Sequence, residues 1–440
     1  MNTPTKTNVR MNKFSILLIV MLLSATSGLA QEFVQVNGKQ FVLEGKPYYY
    51  IGANYWYGAI LGSKGEGGNR KRLRQELKMM KEKGINNLRV LVGAEGPDDQ
   101  PYRVTPALQT APGVYSDTLL DGLDYLLKEM KKHDMTAVLF LHNSWEWSGG
   151  YAQYLNWHGH GDIPYPQIHS WDKFQAYVRK FQQCDPCKAQ FADHVRFILG
   201  RTNRYTGKKY VDDPAIMSWE VANEPRPFSK ANLPAFETWI AETAALIKSL
   251  DSNHLVTTGS EGSVGCENDL EVFERIHAGQ HIDYLTMHIW PKNWNWIDIE
   301  DISGTLANAI KKTNTYIEDH VAVAQKLKKP IVLEEFGLPR DGHSFDLSAP
   351  TTHRDAYFKN AFEQILAHAK IGEVLAGCNF WAFGGNAQPN HTDGPFWKKG
   401  ADFTGDPPQE EQGLNSVFQN DTTVELVRAY VEQIRAVGKK

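Results

Sequence analysis

Along residues 33–437, short apolar runs alternate with longer amphipathic ones. The short runs predict strands at 48–54, 87–92, 136–142, 216–223, 254–259, 284–290, 331–336 and 377–381. They are rich in β-branched and aromatic residues and apolar on both faces, as parallel strands covered on both sides must be. The amphipathic stretches predict helices. Leu73, Leu77 and Met80 share a face of 69–83, and Leu119, Leu123, Leu126, Leu127 and Met130 share one of 117–133. Further helices are expected within 172–203 and at 233–250, 270–277, 306–327, 353–370 and 424–437. Eight strand–helix units predict the α/β class, as a (β/α)8 TIM barrel with enlarged βα loops, built by one domain over residues 31–440. An open doubly wound sheet is the alternative, but its first strand usually runs into a Gly-rich phosphate turn. Here that turn reads Tyr55-Trp56-Tyr57-Gly58. Residues 31–46, with turns at Asn37-Gly38 and Glu44-Gly45, predict a small hairpin that plugs the barrel floor.

Composition narrows the partners. At 440 residues, 42% hydrophobic and 22% charged, the chain can bury a sizeable core without metal or disulfide staples. Its formal net charge of −4 makes it a poor match for nucleic acid or an anionic membrane and suits a neutral substrate. The first thirty residues have the pattern of a secretory signal. Arg10 and Lys13 flank an apolar run at 14–23, and small residues lead to Gly28-Leu29-Ala30 before Gln31. Met11 is a second candidate start. The run is too short for a membrane anchor, so a signal peptide at 1–30 and a secreted or periplasmic protein are expected. Of four cysteines, Cys184 and Cys187 form a CxxC pair. In an exported chain this pair favours a local disulfide over redox or zinc chemistry, since no second pair or histidine cluster completes a metal set. A monomer is expected.

In a barrel of this kind the active site lies at the carboxyl ends of the strands. The predicted strands end in Asn54, Tyr55 and Trp56; in His142 and Asn143; in Asn223 and Glu224; in His288 and Trp290; in Glu334 and Glu335; and in Trp381, while Arg89 lies within the second. Carboxylates on strands four and seven face each other across a small barrel. Glycoside hydrolysis needs such a pair, one protonating the leaving oxygen and the other attacking or activating water. Strand alternation lets only one of Glu334 and Glu335 point inward. Arg89 beside a carboxylate would lower its pKa and favour an ionised nucleophile. His142 and His288 could each be structural, or could pair at a metal, but no tight spacing supplies the third ligand. Of 12 tryptophans, Trp56, Trp145, Trp147, Trp157, Trp290, Trp294, Trp296, Trp381 and Trp397 fall at strand ends or in the loops after them. The apolar faces of sugars stack on such rings, and a nucleic-acid groove would need a basic lining instead.

Over nearly the whole mature chain the sequence resembles glycoside hydrolase family 5, and in detail its mannanase branch. The segments that carry the likeness are Trp219-Glu-Val-Ala-Asn-Glu-Pro-Arg226 and Ile331-Val-Leu-Glu-Glu-Phe-Gly337, supported by Gly52-Ala-Asn-Tyr-Trp56, Asn87-Leu-Arg-Val90, Leu141-His-Asn143, Met287-His-Ile-Trp290 and Phe380-Trp-Ala-Phe383. The resemblance implies a retaining double displacement on β-1,4-mannan or manno-oligosaccharides, with no cofactor and no metal. Glu224 would be the acid/base and Glu335 the nucleophile. Asn223 would bind the sugar 2-hydroxyl, and Arg89 and His288 would orient the carboxylates. His142 and Trp381 would line the subsite of the sugar under attack, with Trp56, Asn143 and Trp290 also in contact with substrate. The family usually has Tyr where Trp290 stands, and indole can donate a hydrogen bond but not accept one. A β-1,4-glucanase on the same scaffold and a non-catalytic carbohydrate-binding protein are the alternatives. The long segment 384–420 is expected to wall one end of the cleft.

Overall fold

The apolar runs assemble into a parallel sheet of eight strands: β1 (Tyr50–Asn54), β2 (Asn87–Leu91), β3 (Thr136–Phe140), β4 (Ile216–Glu220), β5 (Leu255–Thr257), β6 (Leu285–Ile289), β7 (Ile331–Phe336) and β8 (Leu375–Phe380). Every residue in them is buried. The computed structural model describes Met1 and residues 32–437, apart from 101 and 393. The expected signal segment, from residue 2 onward, lies outside the described residues. Each strand pairs with its neighbour in sequence except β5 with β6, and β8 pairs with β1. Between β5 and β6 the ring closes through single contacts: Asp283 N–H to the Val256 carbonyl at 2.8 Å, and the Thr257 hydroxyl to the Tyr284 carbonyl at 2.9 Å.

The helices lie where the periodicity predicts them: α1 (Arg70–Glu82), α2 (Asp117–Lys131), α3 (Asp185–Leu199), α4 (Leu233–Leu250), α5 (Leu270–Ala278), α6 (Ile302–Leu327), α7 (Thr352–Ile371) and α8 (Thr422–Val437). Their starts are written locally. The N-cap side chains of Asn69, Ser116 and Asp301 each accept a hydrogen bond from a backbone N–H of the first turn. Two short helices that were not expected, Gly58–Gly62 and Gly150–Trp157, occupy loops. Cys184 and Cys187 are disulfide-bonded at the start of α3.

The N-terminal hairpin does plug the floor, with a third short strand added: Gln35–Asn37, Gln40–Leu43 and Lys46–Pro47. Phe41 and Val34 meet Tyr50, Val138, Met217, Tyr284 and Val332 from inside the barrel. At the opposite end the 384–420 loop is fixed to the barrel. The Arg72 guanidinium donates to the Phe403 carbonyl at 2.8 Å, and the Asp406 carboxylate accepts the N–H groups of Gly413 and Asn415, both at 2.8 Å. Among the described residues no helix is long and apolar enough to cross a membrane.

Candidate active site

Several strands stop short of their predicted ends, and that shortening shapes the site. β3 ends at Phe140 and β4 at Glu220, and beyond them the two segments stay joined through a bridge between Asn143 and Asn223. Freed from the ladder, Glu224 takes φ 51°, a left-handed conformation uncommon for a residue with a side chain. Its N–H is held by the Gly259 carbonyl at 3.0 Å. Gly259 has φ 75°, and a Cβ there would lie 2.0 Å from the Ala222 carbonyl, so only glycine fits. This local strain turns the Glu224 carboxyl over the barrel mouth, where it faces Glu335.

The two carboxyls meet around His288. Its Nδ1 lies 2.9 Å from Glu224 Oε1 and 3.4 Å from Glu335 Oε2. An oxygen of each carboxyl lies within 4.8 Å of an oxygen of the other. Retaining glycosidases hold their pair about 5–5.5 Å apart. Beneath them Arg89, fully buried, is the hub. Its guanidinium makes ion pairs with Glu335 and, through two nitrogens, with Glu220, and it donates to Asn223 Oδ1 at 2.8 Å and Asn54 Oδ1 at 3.1 Å. The indole of Trp145 donates to Glu224 Oε2. Glu334 is fully buried and also faces the barrel interior, with Oε2 3.8 Å from the Arg89 Nε and 3.9 Å from His288 Nε2, so the expectation that only one of the two adjacent glutamates points inward fails.

Burial pushes both facing carboxyls up. For Glu335 the rise is large; Arg89 opposes it and the negative charge of Glu224 adds to it. For Glu224, Arg226, the Trp145 indole, Arg89 and Trp290 oppose the rise. The expected pull of Arg89 on the nucleophile is therefore present but outweighed by desolvation. Two carboxyls this close disfavour each other's ionised form. Of the two, Glu335 is in direct contact with the guanidinium, the group that favours its ionised form. His288 is pushed down to about 3 by burial and by Arg89, so it is a neutral imidazole. The Trp290 indole is among the groups that favour the ionised form of Glu224.

A cleft of about 520 Å³ opens over this centre. Of the expected site residues, Glu224, Glu335, Asn223, Trp290 and Trp381 line it. The others do not reach it. Arg89 and His288 are buried beneath the carboxyls, as orienting groups would be. Asn143 is buried too, and acts by accepting from Asn223 Nδ2 at 3.1 Å and from the Trp145 N–H at 3.0 Å. His142, expected to line the sugar subsite, sits instead in an aromatic box of Tyr151, Tyr154, Phe181 and Phe191. Trp56 is likewise covered, its indole donating to the Gly405 carbonyl at 2.8 Å. Both lost their predicted contact because β1 and β3 end before them and the following loops fold over. Of the nine loop tryptophans, Trp145, Trp147, Trp290, Trp294 and Trp381 line the cleft, and the other four brace loops. Trp171, from a helix, joins the lining. Sequence reasoning missed Arg226, which pairs with Glu261 and lies 4.9 Å over the Trp145 ring; its place directly after Asn-Glu-Pro was the one available signal. It also missed Glu146, Gln167, Gln409 and Glu410, ordinary loop residues by sequence. Glu224, His288 and Glu335 are close enough to hold a cation, a proximity that their spacing along the chain does not reveal.

Fold and site together define a barrel enzyme with the paired carboxyls and aromatic cleft of a glycoside hydrolase. The family model for GH family 5 beta-mannosidase-like proteins matches residues 31–439, and the chain belongs to that family. It is 32% identical over 382 residues to mannan endo-1,4-beta-mannosidase 7 of Arabidopsis thaliana, covering 82% of this chain and 80% of that one. Among solved structures it resembles the glycoside hydrolase family 5 mannosidase from Rhizomucor miehei, at 38% identity and a TM-score of 0.84, over 94% of this chain and 99% of that one. A mutant of that mannosidase in complex with mannosyl-fructose matches at 39% identity and a TM-score of 0.85, over 92% and 98% of the two chains.

Proposed function

We propose that this protein is a retaining glycoside hydrolase that cleaves β-1,4-mannosidic bonds in mannan, galactomannan or glucomannan. The observation that carries the reading is the approach of Glu224 and Glu335 to within 4.8 Å at the floor of a tryptophan-lined cleft. Ionised Glu335 attacks the anomeric carbon while Glu224 gives its proton to the departing glycosidic oxygen. The sugar is then held as an ester on Glu335, and Glu224, now a base, takes a proton from the water that releases it. Arg89 stabilises the Glu335 anion, and neutral His288 spaces the two carboxyls without adding a charge. Asn223, fixed by Arg89 and Asn143, offers its amide to the 2-hydroxyl, the position at which mannose differs from glucose. The names of the similar proteins, mannan endo-1,4-beta-mannosidase and mannosidase, support mannan over glucan. We further propose export to the periplasm or medium, where such polysaccharides are met.

Initial rates on linear mannan and on carboxymethylcellulose, with proton NMR of the first-formed anomer, test the reading. Faster turnover of mannan with β-configured initial product is expected. Preferential cleavage of the cellulose derivative, or an α-configured initial product, would overturn it.

A further inference from the structure

A second groove, of about 810 Å³, opens between side chains of the loop after β2 and side chains of the 384–420 loop after β8. Both loops leave the carboxyl end of a strand, so the groove lies on the same face of the barrel as the cleft. It shares no lining residue with the cleft. A run of packed rings separates the two. Trp381 meets Trp147 at 6.3 Å between ring centres, Trp147 meets Trp56 at 5.7 Å, and Trp56 meets Phe403 at 5.6 Å. Trp397 then lies flat on Phe403, at 4.8 Å with 13° between the planes, and lines the groove.

Tyr102 and Phe396 complete the aromatic wall, edge to face at 5.7 Å. Phe396 leaves 36% of its surface in water, apolar area that nothing in the chain covers. Tyr102 takes a left-handed φ of 60°, so the loop holds this ring at the groove against its local preference. Polar groups of both signs face the same space. Asp98 and Asp99 offer carboxylates, and Lys399 an ammonium paired with Glu66 at 3.0 Å. Arg103 lines the groove although it is only 2% exposed. Its Nη1 donates to Gln153 at 2.8 Å and to the Tyr165 hydroxyl at 3.1 Å, but its Nε has no partner among the described residues. A smaller pocket of about 230 Å³ adjoins the groove at Thr105 and Trp397. There the buried Arg72 has an unpartnered Nη1, to which Asp402 comes no nearer than 3.8 Å. Each unpaired buried donor costs about 1–3 kcal/mol. Two of them at adjoining pockets point to a ligand that brings acceptors.

The rest of the lining says which ligand. An anion would use the guanidinium N–H groups, but it would meet Asp98 and Asp99 and leave the rings uncovered. An apolar ligand would leave the N–H groups unpaired. A neutral sugar meets every requirement: its C–H faces lie on the rings, its oxygens accept from guanidinium, and its hydroxyls donate to the carboxylates. We propose that the groove bounded by Tyr102, Phe396 and Trp397 is a second carbohydrate site, which holds β-mannan polymer while the cleft cuts it. The proposal rests on the β-mannan hydrolase reading and adds a place where the polymer is bound and not cleaved. Two contacts on one polymer raise its effective concentration at the cleft. A trisaccharide held in the cleft has no further sugars to place in the groove.

The full chain tests it. In a Glu335→Ala background, which binds polymer without cutting it, migration through a gel containing soluble glucomannan should be retarded. Adding Tyr102→Ala or Phe396→Ala, each checked by thermal melting, should weaken that retention about threefold to tenfold. Phe396→Trp, which restores a ring, should keep it. In the active enzyme the same two alanine variants should lower kcat/KM on glucomannan by a similar factor and leave kcat/KM on mannotriose unchanged. Retention untouched by both alanine variants, or an equal loss on mannotriose, overturns the second site. Retention by polygalacturonate in place of glucomannan would make the groove a site for acidic chains and overturns it as well. Ring-dependent retention together with no cleavage of any manno-oligosaccharide by the wild type supports the carbohydrate site and overturns the hydrolase reading.

Discussion

Replacing Arg89 by lysine isolates what the buried guanidinium does. The wild-type side chain spans two carboxylates and two amides from a site with no solvent exposure. Lysine keeps the charge but donates from one point, so it cannot hold Glu220 and Glu335 at once. Glu220, which takes two of the guanidinium nitrogens, retains the ammonium, and Glu335 loses its charge-assisted hydrogen bond. Such a bond is worth about 1.5–3 kcal/mol. At about 1.4 kcal/mol per unit, the Glu335 carboxyl rises by one to two further units. Because the free enzyme needs Glu335 ionised, the acid limb of the pH profile of kcat/KM moves to higher pH by that amount. On that limb activity falls about tenfold to a hundredfold at fixed pH. The assay is kcat/KM for mannotriose from about pH 4 to pH 8, with a melting curve at each pH. If the acid limb stays where it is in a variant that melts like the wild type, Arg89 does not set the ionisation of Glu335. An equal loss at every pH would mean that it acts through geometry alone.

Four further outcomes are expected. Glu224→Gln should lower turnover of manno-oligosaccharides about 10²–10⁴-fold, yet slow the first step far less for a dinitrophenyl mannoside, whose leaving group needs no proton; equal losses on both would reject the acid role. Trp145→Phe removes the indole donor that lowers Glu224, so the basic limb should rise by about one unit; a fall would contradict the assigned sign. Glu334 is raised well above its ordinary 4.5 by burial and by Glu220, so the folded state keeps a proton that the unfolded chain releases. Glu334→Gln should then match the wild type in stability below about pH 4.5 and gain about 1.4 kcal/mol per pH unit above it, read by urea unfolding; a gap that does not widen with pH would mean Glu334 is ionised in place. Exhaustive dialysis against a chelator should leave kcat unchanged; a loss restored by a divalent ion would put a cation among Glu224, His288 and Glu335.

The barrel was legible because it is written in local order. Strands buried on both faces must be continuously apolar, helices on the outside must show a stripe, and eight alternations leave few other ways to close a sheet. The two facing glutamates were legible for a related reason, since the carboxyl end of each strand in such a barrel opens on one mouth. What lies beyond the last ladder hydrogen bond was not. Whether a residue two positions past a strand faces the cleft depends on how the next loop folds, and that is set by contacts distant in sequence. His142 and Trp56 were drawn under loops by Phe191 and by Gly405, 49 and 349 residues away along the chain, whereas Glu224 was turned outward by one left-handed residue and the carbonyl of Gly259. Glu146 and Glu410 give no local sign that they reach the cleft, because that depends on how distant loops pack. The sequence alone determined which elements form and which strand ends carry acids. The tertiary structure decided which side chains touch the cleft and where the cleft stops, because both are set by loop–loop contacts that no local pattern encodes.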